Sequence, residues 1–228
     1  MIFITPSHQF PTGVVLPINR RIELIKYARE NDIYIVEDDY DSEFRFEGSP
    51  IESMQSLDPD HVIYVGTFSK IFMPSLRMGY IVLPDNILNK TRDIKYVADL
   101  HSPILEQLTM AEFIKQGLLD KHIKKMRNLY LKKRNQIIKC LKHYFEDEVS
   151  ISGMQAGMHF IGTFKGIHFN TATMNKIYDA GIEITPLRKY YVQNEYEENL
   201  NSFISQSLVF GYGNTDVDKI ENGIVNLY

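Results

Sequence analysis

The stretch VGTFSKIFMPSLRMGYIVL, residues 65–83, is the most informative part of this 228-residue chain. Two apolar runs flank a small-residue turn that holds a lone lysine, Lys70, with Arg77 following seven residues later. A lysine at a strand end can be held near an anionic ligand without being buried as a bare charge, which would be prohibitive. Upstream, Ile35-Val36-Glu37-Asp38-Asp39-Tyr40-Asp41 takes an apolar strand directly into four carboxylates and a tyrosine. Working outward, residues 1–6 read as a buried strand ending in a loop, and residues 34–36 and 62–65 as further short strands. Residues 79–83 form another, stopped by Pro84. Helical spacing after residue 17 puts Ile22, Ile25 and Ala28 on one face. Apolar rather than alternating strands, interleaved with a helix, predict an α/β fold whose mainly parallel sheet is covered by helices on both faces. In such sheets ligands gather at the carboxyl ends of the strands, just past which Asp38 and Lys70 are expected.

The bulk properties narrow the function classes. At 228 residues the chain can bury one sizeable core, or one core and a small second domain. A formal charge of −4 gives no field that would favour nucleic acid over the whole surface. No apolar run approaches the length of a membrane span, and no signal peptide precedes the first strand. The single cysteine, Cys140, cannot form an intrachain disulfide, which fits a reducing cytoplasmic setting. It lies inside a helical pattern and reads as packing rather than as a nucleophile. Only one residue separates Met1 from the first core strand, so the chain reads as beginning within a fold.

The middle of the chain is helical. Residues 105–116 carry Leu105, Leu108, Ala111 and Phe113 before Gly117 stops them. Residues 118–144 then run long, with Ile123, Met126, Tyr130, Ile137 and Leu141 as the apolar stripe. The basic residues of that run, Lys121, Lys124, Lys125, Arg127, Lys132, Lys133 and Arg134, suit a solvated helix face better than a nucleic-acid surface, since no base-stacking platform accompanies them. From Val149 the rhythm shortens. Residues 159–164, 182–185 and 208–210 read as strands, and 171–180 and 216–227 as helices, the last with Thr215 at its N-cap. The expected organisation is therefore a partial large domain over 1–117, a connecting helix over 118–145, and a small α+β domain over 146–228.

The chemistry follows from residue types. One amine nucleophile, one arginine able to grip an anion and one acid at a strand end are what a pyridoxal phosphate site requires. The lysine forms the imine, the arginine holds the phosphate, and the acid keeps the pyridine nitrogen protonated. Chemistry alone leaves Glu37, Asp38 and Asp39 open as that acid. An ordinary ion pair with a nearby acid remains the alternative for Arg77, and a surface loop the alternative for Lys70.

Five motifs in one order sharpen this reading: TPSHQFPTG (5–13), EDDYDSEFRF (37–46), YVGTFSK (64–70), PSLRMGY (74–80) and HIKKMRNLYLKKR (122–134). Together they resemble the aminotransferase-like domain of the MocR-type transcription regulators of the GntR superfamily. That domain is itself similar to class I aminotransferases of the type I fold of pyridoxal phosphate enzymes. The resemblance covers essentially the whole chain and implies a truncated version of that fold. It lacks the N-terminal winged helix and the first portion of the large domain, which carries a phosphate loop and a ring-stacking aromatic residue.

By motif, the resemblance implies Lys70 as the imine-forming lysine, Arg77 as the phosphate-binding arginine, and Thr67 and Ser69 as hydroxyl donors to the same phosphate. It selects Asp38 for the pyridine nitrogen and Tyr40 for the ring 3-oxygen. Class I aminotransferases often place an asparagine before Pro-Thr-Gly; Phe10 stands there, and His8 or Gln9 is the implied substitute. The small-domain strand that would carry a carboxylate-clamping arginine has none, which leaves Arg188 as the nearest cation. These features imply a sensor that binds an amine or amino acid effector through its cofactor, within a homodimer that reaches DNA through the winged helix. A catalytically active aminotransferase and a remnant that binds no cofactor are the alternatives. For the isolated chain, weak cofactor binding is expected, because the phosphate loop is missing.

Overall fold

In a computed structural model that describes residues 1–49, 51–191 and 201–228, the chain divides into two units. The first comprises Met1–Gln9 and Val14–Met126, the second Phe10–Gly13 and Arg127–Tyr228.

The first unit is built on a four-stranded sheet. Its elements, in chain order, are β1 (Ile2–Ile4), α1 (Ile18–Glu30), β2 (Ile35–Asp39), α2 (Met54–Leu57), β3 (Val62–Thr67), α3 (Phe68–Ile71), β4 (Gly79–Val82), α4 (Asp85–Asp99) and α5 (Ile104–Lys115). The strand order is β1-β2-β3-β4, with β1, β2 and β3 parallel. β4 runs antiparallel to β3. The link between β3 and β4 holds only a single turn of α-helix and a 3-10 turn, too short for the crossover that a parallel neighbour requires.

One face of this sheet packs against α1 and α2, and the other is the more open. Ile2 and Ile4 of β1, Ile35 of β2 and Val62 of β3 point to the side where α1 and α2 lie, and pack with Ile25, Ala28 and Met54. The alternation of strand side chains sends Phe3 and Ile81 to the other side, where they are 64% and 55% exposed. The α/β fold with a mainly parallel sheet is as expected.

Two helix stripes also differ from expectation. In α1 the residues that face inward are Arg21, Ile25 and Ala28, while Ile22 is exposed. Arg21 takes the inner position because its guanidinium has acceptors there: the carbonyls of Pro6, Leu16 and Glu52. In α5 only Met110 is buried, and Leu105 and Leu108 stand exposed. α4 was not expected from its sequence at all, and no residue of it is buried.

The long helix α6 (Leu118–Phe145) is shared between the units. Its apolar positions Tyr130, Ile137 and Leu141 are buried as the periodicity predicts, and so is Cys140. Lys133 and Arg134 depart from the expected solvated face. Both are buried, Lys133 donating to the Gly213 carbonyl at 2.9 Å and Arg134 to that of Met154 at 2.6 Å.

The second unit continues with β5 (Val149–Ser152), β6 (His159–Phe164), α7 (Thr171–Asp179), β7 (Thr185–Pro186), α8 (Ser202–Ser205), β8 (Ser207–Gly211) and α9 (Val217–Leu227). Its antiparallel sheet has the order β5-β6-β8-β7. Phe160 stacks on Phe210 with ring centroids 5.3 Å apart, and Phe145 and Phe169 meet Phe164 edge-on. Gly13 and Gly153 pass so close that a Cβ on Gly13 would lie 2.6 Å from the Gly153 Cα, and both hold positive φ. The N-cap of α9 is Asp216, not Thr215, and its side chain makes no capping bond.

Candidate functional site

β2 presents acids to both sides of the sheet, and its alternation separates them. Glu37 and Asp39 face the covered side with Ile35, and Asp38 faces the open side with Val36. Asp38 therefore sits within the strand rather than beyond its end. On the covered side each carboxylate is engaged. Glu37, fully buried, accepts from the backbone N–H groups of Met54 and Gln55 at 3.0 Å each, and lies 3.7 Å from Arg21. Burial pushes its carboxyl above the usual range despite those bonds. Asp39 accepts from the Tyr64 hydroxyl at 2.9 Å and from the Ser42 N–H at 3.3 Å.

Asp38 has no hydrogen-bond or ion-pair partner among the described residues. Burial, and then the neighbouring Asp39 charge, raise its carboxyl pKa. An acid with these properties accepts a hydrogen bond from a protonated ring nitrogen without giving up any bond of the fold.

The β3–β4 hairpin supplies the cations. Thr67 is opposite Gly79 in the ladder, and the Phe68 N–H donates to the Met78 carbonyl at 3.0 Å. The hairpin thus returns Arg77 towards the turn that holds Lys70. Asp38 pairs with Val65 one strand over, so the acid, the amine and the guanidinium collect at one end of the sheet. Thr67 caps α3, its hydroxyl accepting from the Ser69 N–H at 3.1 Å. Arg77 adopts a left-handed backbone conformation at φ 49°, which ends the 3-10 turn Pro74–Leu76 and starts β4. Lys70 and Arg77 are exposed, and neither has an ion-pair partner among the described residues.

Beside them lies a buried pair. The His8 Nδ1 and Asp41 Oδ2 are 3.0 Å apart, with side chains 0% and 1% exposed. The Tyr40 hydroxyl donates to the His8 carbonyl at 2.6 Å. Burial, reinforced by Asp41, Asp38 and Asp39, pushes the Tyr40 phenol far above its ordinary value, so it keeps its proton. The other Asp41 oxygen, Oδ1, is buried without a hydrogen-bond partner among the described residues. Burial raises the Asp41 carboxyl, while the His8 bond and the Lys70 charge pull it back. Gln9 donates its backbone N–H to Val14, which closes the loop that presents His8. Arg188 lies in the second unit, where its guanidinium meets the Thr171 hydroxyl at 3.4 Å.

Sequence reasoning missed two groups here. Arg21 fastens Pro6, Leu16 and Glu52 beneath the sheet, and its signal was a charge at an inner helical position. Glu43, in the 3-10 turn Ser42–Phe44, is pushed up to about 7 by burial, with Asp39 and Asp41 adding to the shift.

The sequence profile of the aminotransferase class I and II family matches residues 1–200. The chain belongs to that family. It is 46% identical over 166 residues to the uncharacterized HTH-type transcriptional regulator YdeL of Bacillus subtilis, covering 71% of this chain and 35% of the relative. It is 31% identical over its whole length to the probable rhizopine catabolism regulatory protein MocR of Rhizobium meliloti, of which it covers 45%. Among solved structures, kynurenine aminotransferase of Pyrococcus horikoshii, determined with PMP, superposes with a TM-score of 0.84 at 28% identity. That match covers 99% of this chain and 54% of the enzyme. The chain thus spans about half the length, or less, of these relatives, and its fold is that of the type I aminotransferases. No helix among the described residues is long and apolar enough to cross a membrane.

Proposed function

We propose that this chain is the pyridoxal phosphate-binding, aminotransferase-like sensing domain of a MocR-type transcription regulator, with an amine or amino acid as its effector. The observation that carries the reading is the set of polar groups the fold leaves unengaged at one end of the sheet: Asp38, Lys70 and Arg77. An acid, an amine and a guanidinium match in type the three charged features of the cofactor, so the donor set fits it.

Bound there, the cofactor supplies an aldehyde carbon for amines and a ring that withdraws electrons. Lys70 would supply the amine that holds the cofactor and a group able to carry a proton. Arg77, with its planar fork, would hold the phosphate together with the Ser69 and Thr67 hydroxyls. Asp38 accepts from the ring nitrogen and keeps its proton in place. Tyr40, with the segment of His8 and Gln9, addresses the ring 3-oxygen. Arg188 is the candidate for an effector carboxylate.

The regulators among the relatives support regulation, and so does β8, which contains no arginine to clamp a substrate carboxylate. Productive orientation depends on such a clamp. In this reading the longer polypeptide is a cytoplasmic homodimer that contacts DNA through an N-terminal winged helix. The alternative, an active aminotransferase, is favoured by the likeness to kynurenine aminotransferase. Incubation of the cofactor-loaded protein with a panel of amino acids separates them. A stoichiometric change in the cofactor spectrum without keto-acid release is expected; sustained keto-acid production would contradict the sensor reading.

A further inference from the structure

The His8–Asp41 pair is more elaborate than a loop anchor needs. Both side chains are almost fully buried, and an ion-pair-forming carboxylate in such a place is costly unless every lone pair is satisfied. Here one oxygen, Asp41 Oδ1, has no hydrogen-bond partner among the described residues. The pair fixes the backbone of His8, and the His8 carbonyl is the acceptor for the Tyr40 hydroxyl. A phenol has one proton to give. While it donates to His8 it cannot donate to a second acceptor, so the position of His8 decides where that proton points.

We infer that His8 and Asp41 are a positioning pair that sets the direction of the Tyr40 hydroxyl, and through it tunes the cofactor held on Lys70. His8 offers Tyr40 a resting acceptor, and the Asp41 carboxylate holds His8 in place by accepting from its Nδ1–H. Displacement of the hydroxyl from His8 frees its proton for the ring 3-oxygen. The charged and titratable groups that act on Tyr40 are Asp38, Asp39 and Asp41. Those that act on Asp41 are His8, Asp39 and Lys70. The inference rests on the reading of Lys70 and Tyr40 as cofactor groups.

The test is a double-mutant cycle read by spectroscopy. The pH midpoint of the bound cofactor's visible absorbance is titrated in the parent protein, Asp41→Asn, Tyr40→Phe and the double variant. Asp41→Asn frees the Tyr40 proton for the ring 3-oxygen, which disfavours the protonated chromophore, and the lost carboxylate charge adds a smaller shift in the same direction. A fall in the midpoint of about one pH unit is expected. In the Tyr40→Phe background the same substitution is expected to move the midpoint by less than about a third of that. No shift, or equal shifts in both backgrounds, overturns the inference, because the pair then does not act through Tyr40. If Asp41→Asn fails to fold, His8→Gln takes its place in the cycle under the same criterion. Borohydride reduction run alongside distinguishes the two levels of the argument. An unlabelled Lys70 removes the cofactor reading and this inference with it, whereas a labelled Lys70 without coupling removes only the role of the pair.

Discussion

The two faces of the first unit's sheet use the same residue types for opposite ends. On the covered face, Glu37 and Asp39 are hydrogen-bonded and Arg21 gathers three carbonyls, so charged groups act as structural ties. On the open face, Asp38 stands one residue away on the same strand with no partner among the described residues. Burial of a charge is tolerated where bonds satisfy it and is otherwise a cost that the fold carries without return in stability. The difference teaches that the site is recognisable by which polar groups the fold does not use.

The largest effect expected from this contrast is at Arg21. Arg21→Ala strands Glu37 and three carbonyls, and a loss of about 3–5 kcal/mol is expected in denaturant unfolding. A loss under about 1 kcal/mol would erase the distinction between the faces. Met54→Ala, in the covered core, is expected to cost about 2–5 kcal/mol, whereas Ile81→Thr on the open face should stay within about 0.5 kcal/mol. Comparable losses at both positions would show that the open face is in fact covered.

Glu43 sharpens the comparison through pH. Its carboxyl, raised to about 7 by burial, retains a proton in the folded state over a range where the unfolded chain has lost it. From about pH 4.5 to 7 the unfolded state therefore binds fewer protons, and stability falls as pH rises. Glu43→Gln should flatten that slope and stabilise the protein near pH 8 by on the order of 1–2 kcal/mol. A slope unchanged by the substitution would assign the pH dependence to Glu37, Asp38 or Asp41 instead. The smallest stability effect is expected at Asp38 itself. Asp38→Asn should leave the unfolding midpoint unchanged or slightly raised while weakening cofactor binding at least about tenfold, measured by titration.

Much of this was legible in the sequence. The strands announced themselves as apolar runs ended by Gly, Pro or acids, and His159–Phe164 was read with its observed limits. Lys70 and Arg77 stood out because a turn between two apolar strands leaves charged residues few places to go. Other features were hidden by tertiary context. Arg21 in place of Ile22 on the inner face of α1 depends on three carbonyls that approach from loops distant in sequence. The exposure of Leu105 and Leu108 contradicts their periodicity, which records what a helix can bury rather than what lies against it. The separation of Asp38 from Glu37 and Asp39 onto opposite faces is within reach of strand alternation. An apolar reading that ends the strand at Val36 hides it, because the ladder to β3 runs on to Asp39. The buried engagement of Lys133 and Arg134 was masked by a run of basic residues that looks uniform from sequence alone.

The central claim, that Lys70 is the amine left available for the cofactor, is tested most directly by trapping. The full-length polypeptide is incubated with excess pyridoxal phosphate, reduced with borohydride, digested and mapped by mass spectrometry. The account predicts one stable phosphopyridoxyl adduct, on Lys70, lost in Lys70→Ala. An adduct spread over other lysines, or none at all, would contradict it.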